Sequence, residues 1–354
     1  MYPRVVVNRA HLKENVRVVR ALCEKHDIAI TGVTKVFGGD PEIARVFTDN
    51  GISMLGDSRI ENLKNLESLE AEKWLIRPPM LSEAAQVAQY ADVSLNSELN
   101  TILALDAECQ HLKRRHKVVL MADLGDIREG FVNYDELVEV ARQVEALQNI
   151  TLLGIGVNLT CFSFIQSDAD KMQQLVSIAK RVEEVVGHPL TIVSGGNSAT
   201  IDLMLRGGIC EGVNNLRLGE SLLFGKERAK YRFLPDTYRD VFTLECEIVE
   251  LKQKPSMPWG EIGVDSYGNR PSFVDIGIRT KAVCALGKQD FDVETSRPID
   301  ADIRVLGASS DHLMLDVTDS EQQYRVGDVV TLELGYFSTM RAFTSRYVKK
   351  VYLD

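Results

Sequence analysis

Residues 29–39 read AITGVTKVFGG. The run is apolar and β-branched up to its lysine, the composition of a strand buried on both faces in a parallel sheet. Two glycines then turn the chain toward a new element. Lys35 closes the run, and a lysine at the end of a buried strand is costly unless something uses it. Burial disfavours the ammonium, so the amine's pKa falls and it becomes a nucleophile able to form a Schiff base. The same residue could mark only the point where a strand meets solvent, and local sequence leaves both readings open.

Outward from this segment the same rhythm repeats. Strand-like runs are expected at 28–36, 53–55, 73–76, 92–95, 117–122, 151–157, 190–193 and 215–218, with amphipathic helices between them. In the helix expected at 11–25, Leu12, Val16, Val19 and Leu22 recur at helical spacing. Eight strands each followed by a helix is the count of a (β/α)8 TIM barrel in the α/β class, assigned here to residues 10–232. From Tyr238 onward the pattern becomes β-branched alternation punctuated by Gly and Asp, as in FTLECEIVEL (242–251), SFVDIGIRTKAV (272–283) and HLMLDVTD (312–319). That predicts a C-terminal antiparallel β-domain over 233–354, with the strand-like opening 1–9 pairing there rather than in the barrel.

Composition narrows the function. The chain has 354 residues, 45% of them apolar, and a formal net charge of −10. The acidic balance and the lack of a basic cluster argue against nucleic acid as a partner. No apolar run approaches the length of a membrane span or signal peptide, so a cytoplasmic protein with no membrane partner is expected. Six scattered cysteines without CxxC spacing do not form a disulfide framework. His111 and His116 lie on different helix faces, and no metal site is expected.

In a barrel, strand C-termini and the loops after them build the active site. Lys35 ends the first strand, SGGNSAT (194–200) follows the seventh, and LRLGESLLFG (216–225) contains the end of the eighth. Small residues opening a helix present free N–H groups to an anion, and loops after strands seven and eight recurrently bind phosphate. Alone, SGGNSAT reads equally as a plain strand–helix turn with an N-cap. A candidate nucleophilic lysine together with a phosphate loop suggests pyridoxal 5'-phosphate, which needs both anchors.

The segments VTKVFGG (33–39), GDSRIEN (56–62), SLNSEL (94–99), DLGDIREGF (123–131), GIGVNL (154–159), SGGNSAT (194–200), NNLRLGESLLFG (214–225), GEIGVDSYG (260–268) and LGASSDHLMLD (306–316) carry a resemblance. In their order and spacing the chain resembles the alanine racemase fold, the fold-type III pyridoxal-phosphate enzymes, and most closely its ornithine racemase-like branch. The resemblance covers nearly the whole chain. It implies that Lys35 holds the cofactor and acts as one acid/base, and that Tyr267 is the base on the opposite face. It implies that Ser194, Asn197 and Ser198 bind the cofactor, the last two at its phosphate, with backbone help from Gly219 and Glu220. Arg217 would face the pyridine nitrogen and Asn158 would line the pocket beside the ring. Arg128 would orient the cofactor's phenolic oxygen and the substrate carboxylate. In the family the tyrosine comes from the other subunit, so a head-to-tail homodimer with shared active sites is implied, Asp311 falling on the partner-facing loop.

The chemistry fits these roles. Racemisation removes the α-proton from one face of a planar carbanion and returns one to the other, which two bases do directly. An arginine can only donate, so a ring nitrogen facing Arg217 stays unprotonated, which suits brief proton exchange and counts against the related decarboxylases. Three departures from the alanine racemase pattern stand out. Gly39 falls where a phosphate-binding tyrosine is expected, and Tyr347 is a candidate replacement. Met121 falls at the position of a lysine carbamylated in some members, so no carbamate is expected. The triplet at the pocket mouth reads Ser309-Ser310-Asp311, which makes room for a longer free amino acid, with Ser310 and Asp311 contacting it and Asp311 meeting a distal ammonium such as that of ornithine or lysine. The alternatives are an alanine or serine racemase of broad specificity, and a non-catalytic carrier of the cofactor.

Overall fold

Nearly unbroken apolar runs separated by amphipathic helices close here into a parallel barrel. The structure is a computed structural model and describes residues 1–264 and 268–354. It divides into two compact units, 9–241 and a second made of 1–8 with 242–354. The first strand, β1 (Arg4–Asn8), belongs to the second unit. The barrel strands are β2 (Ala29–Val33), β3 (Met54–Asp57), β4 (Glu72–Leu75), β5 (Val93–Asn96), β6 (His116–Ala122), β7 (Ile150–Val157), β8 (Ile192–Ser194) and β9 (Asn215–Leu218), closed in that order. All are parallel, and β9 returns to β2 with Gly32 opposite Leu218.

Trp74, Val93, Leu95, Val119, Met121, Leu153 and Ile192 pack as one buried cluster, with Met54 and Ile76 against it. Residues two apart on β5 and on β6 enter this cluster together, as the two-residue strand period requires. A Cβ on Gly154 would lie 1.8 Å from the Ile192 carbonyl oxygen, so β7 and β8 approach this closely only because position 154 has no side chain.

Two boundaries differ from the sequence expectation. Strand β2 stops at Val33 rather than running to 36: after a last ladder bond from the Thr34 N–H to Gly56 O at 2.8 Å, the Thr34 hydroxyl binds Asp57 Oδ2 at 2.6 Å. Thr34 turns to a helical conformation (φ −99°, ψ −9°) and Lys35–Phe37 forms a single 3-10 turn. The segment 233–241 lies with the barrel unit rather than the β-domain. Leu234 N–H donates to Gly225 O at 2.7 Å, and Tyr238 N–H donates to Asn15 Oδ1 at 2.7 Å, which hold it there.

Among the described residues, the second unit holds an eight-stranded sheet. Its remaining strands are β10 (Phe242–Pro255), β11 (Ile278–Cys284), β12 (Ser296–Pro298), β13 (Arg304–Ala308), β14 (Leu313–Asp316), β15 (Val329–Leu334) and β16 (Lys349–Leu353). β1 pairs antiparallel with β10 and parallel with β16, so the opening segment does enter this sheet. Among the described residues no helix is long and apolar enough to cross a membrane.

Candidate active site

The C-terminal ends of β7 and β8, and of β9 and β2, are neighbours by register, since Gly156 pairs with Ser194 and Leu218 with Gly32; Ser194 also pairs with Asn215, the first residue of β9. The sequence expectations Asn158, Ser194, Asn197, Ser198, Arg217, Gly219, Glu220 and Lys35 all fall within a few residues of these ends, at the face where barrels carry their chemistry.

Lys35 is held by its turn. Thr34 is anchored to Asp57, whose other oxygen accepts from Arg59 N–H and Asn62 Nδ2, each at 3.0 Å. Burial pushes the Asp57 carboxyl up despite those bonds. Gly38 and Gly39 follow with φ of +61° and +64°, and a Cβ on Gly39 would lie 2.7 Å from the Asn62 carbonyl oxygen. The expectation that Lys35 is buried in a strand is corrected: it is half-buried and opens a 3-10 turn, because the chain has already left the ladder. Its charge reaches Glu220, whose carboxyl burial raises and which pairs with Arg228, with Nε 3.5 Å from Oε2.

Arg217 stands on β9 with 5% of its surface exposed. Its Nη1 donates to Ser194 Oγ at 2.5 Å and its Nη2 to Val157 O at 2.8 Å. Burial pulls its pKa down to about 10, while the Glu129 carboxylate supports the charge and Arg128 opposes it. The arginine therefore stays a cationic donor at neutral pH. Ser194 passes the connection on, donating to Asn215 Oδ1 at 2.6 Å, and Asn215 Nδ2 donates to Thr31 Oγ1 at 3.0 Å. Arg217 is thus fixed through β8 back to β2.

A second pair of side chains defines an open donor. Asn197 Oδ1 accepts from Ala199 N–H at 2.8 Å, so its Nδ2 must donate, and it does so to Leu159 O at 2.8 Å and Asn158 Oδ1 at 3.1 Å. Asn158 then has its oxygen occupied, and its buried Nδ2 has no partner among the described residues. A buried amide donor left unsatisfied costs about 1–3 kcal/mol unless a ligand takes it. It suits an oxygen acceptor such as a phenolate or carboxylate. Beside it, Ser198 Oγ lies 3.1 Å from Ser221 Oγ and accepts the Ser221 N–H at 3.2 Å, which brings the loops after β8 and β9 together. Gly219 lets the end of β9 lie close against β2, since a Cβ there would sit 3.2 Å from Val33 Cβ. Pyridoxal phosphate fits these donors: hydroxyls and N–H groups for its phosphate, Asn158 Nδ2 for an oxygen, Arg217 for a ring nitrogen, and the half-buried Lys35 for a primary amine.

Arg128 does not point free into the site. Its Nε lies 2.6 Å from Glu129 Oε2 and its Nη2 donates to Glu129 Oε1 at 2.8 Å. The loop beneath it is organised by two aspartates that sequence reasoning left unassigned. Asp123 accepts from the N–H groups of Gly125, Ile127 and Arg128, and buried Asp126 from those of Cys161, Phe162 and Ser163. The D-x-G-D spacing of 123–126 is a turn signal that could have found them.

The remaining expectations lie in the β-domain or beyond the described residues. Ser310 and Asp311 are exposed on one turn, where Asp311 Oδ1 accepts from Gln289 Nε2 at 2.6 Å. Tyr347 is 54% exposed and its hydroxyl accepts from Arg346 Nη2 at 2.8 Å. Tyr267 lies outside the described residues.

Comparison with known proteins shows the family. The family model for the alanine racemase N-terminal domain matches residues 7–227. The chain belongs to the alanine racemase family. It is 43% identical over 350 residues to an ornithine racemase of Acetoanaerobium sticklandii, covering 99% of each chain. It is 37% identical over 354 residues to a lysine racemase of Thermotoga maritima, again covering 99% of each. Among solved structures, the alanine racemase of Bartonella henselae with covalently bound pyridoxal phosphate superposes with a TM-score of 0.73 at 18% identity, covering 100% of both chains. That likeness concerns the fold: barrel and antiparallel sheet are those of the alanine racemase family.

Proposed function

We propose that this amino-acid racemase interconverts the L and D forms of ornithine or another basic amino acid, using pyridoxal phosphate and two bases, Lys35 and Tyr267. Membership of the family and the full-length relatives support the racemase activity. The observation that carries the mechanism is Arg217, a buried cationic donor tied to a hydroxyl and a carbonyl. Pyridoxal phosphate, when bound, supplies the electron sink that makes the substrate α-proton acidic. Lys35 Nζ holds the group and exchanges the α-proton on one face, and the Tyr267 hydroxyl exchanges it on the other. Arg217 donates to the ring nitrogen and has no proton-accepting form at neutral pH, which limits the sink to brief proton exchange. Asn158 Nδ2 would meet an oxygen beside the ring, and the Ser198 hydroxyl with the backbone at Asn197 and Gly219–Glu220 would hold the phosphate, since the Asn197 side chain is already engaged by Leu159, Asn158 and Ala199. Ser194 holds Arg217 in place, and Tyr347 is a further phosphate contact.

The basic substrate is supported by the ornithine and lysine racemases the chain matches end to end. Asp311 is the proposed partner of the distal ammonium, with Ser310 beside it, and Arg128 the partner of the substrate carboxylate. A homodimer that shares its sites is supported by the second unit's exposed apolar side chains Trp259, Val264, Val274, Ile276 and Ile278. The test is spectroscopic and chiroptical. Protein with pyridoxal phosphate should absorb in the visible, lose the band in Lys35→Ala, and abolish the optical rotation of L-ornithine without releasing CO2. Retained rotation, or CO2 release, would overturn the racemase reading.

A further inference from the structure

We propose that Glu129 is a positioning residue that clasps the Arg128 guanidinium and fixes which of its edges faces the substrate, an inference that rests on the racemase reading above. Arg128 has a long arm with 42% of its side chain exposed, whereas the Glu129 side chain is 14% exposed. A half-exposed arginine samples many rotamers, and a fixed carboxylate beside it selects one. The contact is a fork: Nε to Oε2 at 2.6 Å and Nη2 to Oε1 at 2.8 Å. Such paired charge-assisted bonds fix orientation as well as position.

The fork occupies the Nε–Nη2 edge of the guanidinium and leaves the Nη1 edge to donate elsewhere. Asp126 cannot take over the clasp. Its Oδ2 is 3.9 Å from Arg128 Nε, and its oxygens already accept the N–H groups of Cys161, Phe162 and Ser163. Neighbouring residues seldom pair in this way, and the loop is built to allow it. Asp123 gathers three N–H groups ahead of Glu129, and Gly130 behind it has φ +129° with a Cβ position only 2.6 Å from Asp123 N.

The test combines an NMR observable with kinetics. In wild type the Arg128 Nε–H should give a cross-peak protected from exchange with water and absent in Arg128→Lys. In Glu129→Gln, which keeps size and loses charge, exchange at that proton should be at least about ten-fold faster, from the loss of charge-assisted bonding. Glu129→Gln should raise KM for ornithine about ten-fold while kcat changes less than about two-fold, with thermal stability unchanged, and Glu129→Asp should recover part of the loss. In an Arg128→Lys background Glu129→Gln should add nothing further to KM. An unchanged Nε–H, or KM effects that multiply in the double variant, would overturn the clasp. Failure of the racemase reading is distinguishable, because wild type would then racemise no amino acid while the NMR arm still reports on the pair.

Discussion

Ser194→Ala is the perturbation whose cost follows most directly from the site. The hydroxyl accepts from Arg217 Nη1 at 2.5 Å and donates to Asn215 Oδ1 at 2.6 Å, with Ser194 and Asn215 fully buried. Alanine leaves a cationic donor and an amide oxygen unpaired where water does not reach. A bond to a charged group contributes about 1.5–3 kcal/mol and a neutral one about 0.5–1.5 kcal/mol, so the barrel should lose roughly 2–4.5 kcal/mol. Trp74 is fully buried in the barrel and Trp259 is 85% exposed, so urea unfolding followed by fluorescence in a Trp259→Phe background reports on the barrel. A double-mutant cycle with Arg217→Met should return a coupling of about 1.5–3 kcal/mol, the charged bond alone. The pyridoxal-phosphate dissociation constant should also rise, since Arg217 keeps only its Val157 contact. A stability change below about 0.5 kcal/mol, or strict additivity with Arg217→Met, would refute the reasoning.

His116 gives a pH signature outside the site. Its ring is fully buried, with Nδ1 3.1 Å from Ala91 O and Nε2 2.7 Å from Ser94 Oγ, and burial lowers its pKa to about 4. The carbonyl can only accept, so Nδ1 carries the proton and Nε2 accepts from Ser94. A folded pKa below the unfolded 6.5 means that the unfolded chain binds the proton first, so stability is intact above pH 6.5 and falls as pH drops toward 4. The loss should be about 1.4 kcal/mol at pH 5.5 and about 2.5 kcal/mol at pH 4.5, and urea titrations of His116→Gln should lack it; equal slopes would contradict the assignment. Asp311→Ala should lower the kcat/KM preference for ornithine over alanine by about ten-fold, as expected for loss of one ion pair, and an unchanged ratio would remove Asp311 from substrate recognition.

Much of this architecture was legible because its signals are local. Apolar runs near 53–55, 73–76 and 215–218 become β3, β4 and β9 almost residue for residue, since a barrel strand is covered on both faces. The end of β2 was not legible: VTKVF is uniformly strand-like, and the chain leaves the ladder only because Thr34 finds Asp57, 23 positions away. A still greater distance in sequence hid Asp126, whose partners lie on the loop after β7, whereas Glu129 was hidden because neighbours in sequence are not expected to pair and only the loop's turn brings its carboxylate onto Arg128. SFVDIG (272–277) alternates like a strand, yet β11 begins only at Ile278. Asn158 and Asn197 were placed by resemblance, while the free donor they create together depends on which way each amide points, and only the surrounding hydrogen bonds decide that.

The most direct test of the central claim is α-proton exchange in D2O, read by NMR, across a panel of L-amino acids with pyridoxal phosphate present. The account predicts deuterium at the α-carbon of ornithine or lysine ahead of alanine and serine, with the D isomer accumulating and CO2 absent. Lys35→Ala should abolish the exchange. If no amino acid exchanges its α-proton, the chain does not use Lys35 and Tyr267 as opposed bases and the account is wrong.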